Sequence, residues 1–152
     1  MATQTLAYLK NTNRNFDNVL DSISKQNIIA LTANRTVTPG ESGTWFTLDA
    51  AAGAFTVTLP GVSAGSGCKF RFINVENTPS ADITIASDST NVYGTLSIQS
   101  DTNEDNRVAL AGSTNVLFDT TALLGDWVEF VSDGTYYYVS GMGSVQGAFT
   151  VS

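Results

Sequence analysis

The chain has 152 residues, a formal net charge of −7 and no histidine. Charged residues make up 14% against 42% hydrophobic, which excludes a disordered chain, and no apolar run approaches the ~18 residues of a membrane-spanning helix. The missing histidine removes Ser-His-Asp triads, Cys-His dyads and His-ligated metals, and the single cysteine, Cys68, removes an intrachain disulfide.

The first ten residues lack a basic stretch followed by an apolar one, so no signal peptide is expected and synthesis in the cytoplasm is the reading. Residues 13–26 carry Phe16, Val19, Leu20 and Ile23 at i, i+3, i+4 and i+7, the spacing of one helix face. Asn13 or Asn15 can cap it, with Asp17 in the first turn and Lys25 in the last. A helix of about a dozen residues is marginal alone in water. Its stripe must rest either on its own body or on another chain. Residues 1–27 are thus expected to form an arm with this amphipathic helix, and Leu6, Tyr8, Leu9, Phe16, Val19, Leu20 and Ile23 are the candidate partner-binding residues.

After Asn27 the pattern changes to period two. Strands are expected at Ile28–Thr32, Thr44–Leu48, Phe55–Leu59, Lys69–Val75, Asp82–Ala86, Thr95–Gln99, Arg107–Leu110, Val116–Phe118, Asp126–Ser132, Thr135–Ser140 and Ala148–Val151. Turn residues separate them: Pro39-Gly40, Ala52-Gly53, Pro60-Gly61, Ala111-Gly112 and Gly125. Short strands at near-regular spacing predict an all-β body over 28–152, an antiparallel β-sandwich or barrel of jelly-roll-like character. The 20 Thr and 15 Ser outnumber the charged residues, and threonine suits a solvated pleated face. No repeat of fixed period is present.

Asp133-Gly134 lies between two strand-like runs and signals a type I′ turn. On the first run Val128 and Phe130 share one face, and Trp127, Glu129 and Val131 the other. Aromatic residues on both faces suggest a core on one side and a neighbour on the other. Alternation separates Tyr137 from Tyr136 and Tyr138, so at least one of the three belongs to the core.

Other constellations carry little chemistry. Asp101-Thr-Asn103-Glu-Asp105-Asn106 begins like a calcium loop, but the sixth position is Asn106 and the twelfth is Gly112 where glycine and glutamate are required. It reads as an exposed polar loop, with no metal and no cofactor implied. The run Gly61–Gly67 lacks the Lys-Ser/Thr ending of a phosphate loop and reads as a hairpin connection. Glu129 reads as a surface or cross-strand residue rather than a glycosidase acid, and Cys68 as a buried thiol. No catalytic residue is assigned and an enzyme is not expected. Residues 36–152 carry three cations against twelve acids, a balance that disfavours nucleic acid. Residues 1–35 are mildly basic and suit an acidic protein surface.

Two stretches are familiar. One is Ile29–Pro60, IALTANRTVTPGESGTWFTLDAAAGAFTVTLP, with GSGCKFRFI at Gly65–Ile73; the other is WVEFVSDGTYYYVS at Trp127–Ser140. Together they resemble small structural proteins of tailed bacteriophages, especially head decoration (cement) proteins, over residues 28–140. The resemblance implies a β-rich module, often a homotrimer, that sits on the capsid exterior and ties major capsid protein subunits together, without catalysis. No membrane and no nucleic acid partner is expected. Tail fibre, spike and baseplate modules share such stretches, which keeps host-glycan binding as the alternative.

Overall fold

The computed structural model describes residues 26–99 and 106–152. The arm's helix, its seven candidate contact residues and the Asp101–Asp105 loop lie outside the described residues. The body is all-β. Its strands are β1 (Ile28–Leu31), β2 (Arg35–Thr36), β3 (Trp45–Leu48), β4 (Phe55–Thr58), β5 (Lys69–Asn74), β6 (Ile83–Ala86), β7 (Val92–Ile98), β8 (Asn106–Ser113), β9 (Asn115–Phe118), β10 (Trp127–Ser132), β11 (Tyr137–Gly143) and β12 (Phe149–Val151). Each period-two run read from the sequence contains or overlaps a strand. Only β2 was not expected, since two residues leave no alternation to read.

The strands form a sandwich of two sheets, one ordered β1-β3-β5-β10-β11-β7-β8 and the other β12-β9-β6-β4-β2. The pairing is mixed, not antiparallel throughout. From β1 to β6 the chain alternates between layers, so each strand pairs with the one two places later and runs parallel to it: β1 with β3, β3 with β5, β2 with β4, β4 with β6. These six strands make three stacked coils of a flattened parallel winding. Pro-Gly and Gly-rich turn signals fit a crossing between layers as well as a hairpin, so turn chemistry alone does not separate the two. Gly61–Gly67 is one such crossing, from β4 to β5, and not a hairpin connection. The loops differ in length, so the coils leave no fixed period in the sequence.

The remaining strands build outward from this winding. β10 joins β5 antiparallel, β11 pairs with β10, and β7 joins β11 parallel. β9 joins β6 and β12 joins β9, both antiparallel. The β10–β11 connection is a four-residue loop, not a two-residue type I′ turn. Asp133 keeps negative φ, and its Oδ1 accepts the N–H of Thr135 at 2.7 Å and of Tyr136 at 2.8 Å. A carboxylate satisfying two loop amides stabilises this wider turn.

Alternation decides which side chains enter the core. Phe46, Phe70, Phe72, Val128, Phe130 and Tyr137 from the seven-stranded sheet are fully buried against Val57, Ile83, Ile85, Val116 and Phe118 from the other. Phe46 stacks on Phe72 at 5.2 Å, and Phe72 meets Phe130 edge-on at 5.9 Å. Tyr137 is the core member of its triplet; its hydroxyl donates to the Pro60 carbonyl at 2.7 Å, and burial first of all pushes the phenol up to about 12. Gly65 makes room for that contact, since a Cβ there would stand 2.7 Å from the Tyr137 oxygen.

At the β1–β2 end, Arg35 lies 5.9 Å over the Phe46 ring and pairs with Glu41 of the turn Pro39–Glu41. Burial works against the Glu41 carboxylate. The N–H and hydroxyl of Thr38, at 2.8 and 2.9 Å, and the Arg35 guanidinium outweigh it and hold the group below its ordinary value of 4.5. A depressed carboxylate contributes stability above 4.5 that disappears as pH falls through its folded value. Wild type is therefore expected to lose unfolding free energy below pH 4.5 that a Glu41→Gln variant does not lose. Parallel urea titrations of the two proteins across the acid range check it.

Candidate binding face

The outer face of the seven-stranded sheet collects side chains from distant parts of the chain. Register sets three rows across the strands. The middle row runs Ile28, Trp45, Arg71, Glu129, Ser140 and Thr95. One neighbouring row holds Lys69, Val131, Tyr138 and Tyr93; the other holds Ile73, Trp127, Met142, Ser97 and Arg107. Trp127, Glu129 and Val131 lie outward and Val128 and Phe130 inward, as the alternation requires.

Arg71 is the centre of this face. Its guanidinium lies 3.9 Å from the Trp127 ring centroid and 4.7 Å from that of Trp45, a cation held between two indoles. These are the only two tryptophans of the chain. Glu129 stands opposite Arg71 in register but pairs with Lys69 instead, Nζ to Oε2 at 3.1 Å. Among the described residues Arg71 forms no ion pair, and its buried Nε has no hydrogen-bond partner. Glu129 is thus a cross-strand residue, as read.

Tyr138, Tyr136 and Tyr93 extend the aromatic surface, meeting edge to face at 4.9 Å for Tyr93–Tyr136 and 6.5 Å for Tyr136–Tyr138. The Tyr138 hydroxyl donates to Asp133 Oδ2 at 3.0 Å, which raises the Tyr138 phenol above its ordinary range. The N–H groups of Tyr136 and Thr135 hold the Asp133 carboxyl below its own. Tyr138 and Met142 are about half exposed, at 49% and 54%.

The opposite sheet presents another surface. Its outward row is Thr56, Thr84, Leu117 and Thr150, beside Thr58, Ala86 and Asn115, with no charge among them. A polar hollow of about 260 Å³ lies at its edge between Asn34, Arg35, Thr36, Thr56 and Thr58. Cys68 is buried, with Sγ 3.7 Å from the Pro39 carbonyl oxygen, as a structural thiol should be. Among the described residues no cluster of three or more acidic or cysteine side chains is arranged to hold a metal, and no helix is long and apolar enough to cross a membrane.

Sequence reading singled out the β10 outward face and the tyrosine triplet but not Trp45, Arg71 or Arg107 as its companions. The antiparallel pairing of β5 with β10 brings Arg71 to it, the parallel register of β3 on β5 brings Trp45, and the place of β8 brings Arg107. No protein-family model, curated protein or solved structure matches the chain.

Proposed function

We propose that this chain is a non-enzymatic structural protein of a tailed-bacteriophage virion: a head decoration protein that binds the major capsid protein and copies of itself, as a homotrimer, on the capsid exterior. The observation that carries the proposal is the outward face around Arg71. Trp, Tyr, Arg and Met on one sheet surface are the residue types that dominate protein–protein contacts. The resemblance of residues 28–140 to decoration proteins supports the same reading. So does the absence of histidine, which leaves few routes to catalysis. Copies arranged around one axis gain avidity without any single strong contact. A protein that binds only the assembled lattice stabilises it by mass action.

Mixing the purified chain with heads that lack it tests this reading. Cosedimentation, a higher disassembly temperature of the heads and density on the shell in cryo-EM are expected. Absence of head binding, with location on the tail, removes the proposal. A second reading, a fibre or spike module that binds a host surface glycan, is favoured by the exposed Tyr93, Tyr136 and Tyr138. It predicts a glycan-array response and no effect on head stability.

A further inference from the structure

The charges of the body are distributed unevenly. Residues 36–152 contain Lys69, Arg71 and Arg107 as their only cations, against twelve acids. All three cations stand on the outer face of the seven-stranded sheet, in rows adjacent by register, and Glu129 is the only acid in those rows. Among the described residues this face therefore carries three cations against Glu129 and, at its rim, Asp133, and it also carries both tryptophans.

We propose that this face docks an acidic protein surface, with a carboxylate of the partner meeting the guanidinium of Arg71 between Trp45 and Trp127. The inference rests on the decoration reading and gives the chemistry of the patch recognised on the shell. Charge complementarity selects the occupant. The remaining cation of the body, Arg35, is already paired with Glu41, so this face is the one with cations to offer an acidic partner, and the choice of face follows from electrostatics before any close contact forms. A second copy docked face to face is a poorer fit here, because two such faces would set like charges against each other. Arg71 suits the task because its position is already fixed. Two indoles hold the guanidinium, and no carboxylate of the described residues competes for it. Such an arginine loses little side-chain freedom on binding.

Tryptophan emission of the full chain reports this face directly, since no other indole exists. Titration with poly-L-glutamate, as the acidic probe, is expected to change that emission, with a half-point that rises about tenfold between low and physiological salt. Arg71→Gln is expected to weaken the response about tenfold or more. Should that variant fail to fold, as judged by its far-UV circular dichroism, the Lys69→Gln/Arg107→Gln double variant carries the same test. Emission that ignores poly-L-glutamate, or responds equally in wild type and variants, overturns the proposal. So does a tighter response to polygalacturonate, which would assign the face to an anionic glycan. Cosedimentation with heads separates the two levels. Heads that bind wild type and both variants alike overturn this inference and leave the decoration reading standing. Heads that bind none overturn the decoration reading, and the poly-L-glutamate titration then decides the chemistry of the face by itself.

Discussion

Replacing Gly94 with alanine is expected to destabilise the fold by at least about 3 kcal/mol, a large share of the roughly 5–15 kcal/mol that holds a domain together. Gly94 pairs with Val139 where β7 runs parallel to β11. Its φ is +147°, and a Cβ built there would stand 2.0 Å from the Val139 carbonyl oxygen and 3.0 Å from its carbonyl carbon. The obstacle is backbone, so no side chain can swing aside. Positive φ in a residue with a Cβ costs about 1–3 kcal/mol, and forcing an extra atom into filled space costs a similar amount. Relief would require parting β7 from β11, which would detach the β7–β8 hairpin from the sheet. Urea unfolding should show a much lower midpoint for Gly94→Ala. Gly40→Ala is the control: the nearest atom to its Cβ is Thr38 Oγ1 at 4.0 Å, and a change within about 0.5 kcal/mol is expected. Equal midpoints for the two variants would mean that β7 and β11 are not held at this separation.

Asp126→Ala should be nearly as damaging, at about 3–5 kcal/mol. Asp126 is 1% exposed, and its carboxylate accepts three hydrogen bonds that tie its own loop to the segment at Ser144. Oδ2 accepts the Leu123 N–H at 2.8 Å, while Oδ1 accepts the N–H of Ser144 at 2.9 Å and its hydroxyl at 2.6 Å. Alanine leaves those donors without an acceptor, and each buried orphan costs about 1–3 kcal/mol. Neighbouring Asn74, fully buried, donates to the carbonyls of Glu76 and Leu123, so the same loop is held from a second side. Asp126→Asn keeps one acceptor oxygen and should recover part of the loss. Thermal unfolding of the three proteins at neutral pH checks the order wild type, asparagine, alanine. Alanine at wild-type stability would show that water satisfies these donors.

The two variants differ in how far they could be anticipated. Asp126 reads as the first residue of an expected strand, just after the turn at Gly125, and nothing local says that its carboxylate is buried against Ser144. Gly94 falls before the expected strand Thr95–Gln99, because glycine weakens a strand in local terms. The strand in fact starts at Val92, and glycine is required because of a neighbour 45 positions later in the chain. Asp133-Gly134 shows the same limit. The dipeptide marks a reversal correctly, but loop length depends on which residues pair across it, here Ser132 with Tyr137.

Period-two alternation, threonine-rich polar positions and glycine–proline punctuation were enough to establish an all-β body, to place nearly every strand and to separate the inward from the outward side of β10, because these properties depend on residues one or two positions apart. The mixed order of the sheets, the three parallel coils and the gathering of Trp45, Arg71, Trp127, Lys69 and Arg107 on one surface belong to the tertiary structure. Strand n pairs with strand n+2 only because the chain crosses between layers, and that choice is made by how two apolar sheet faces bury each other, which no local pattern encodes.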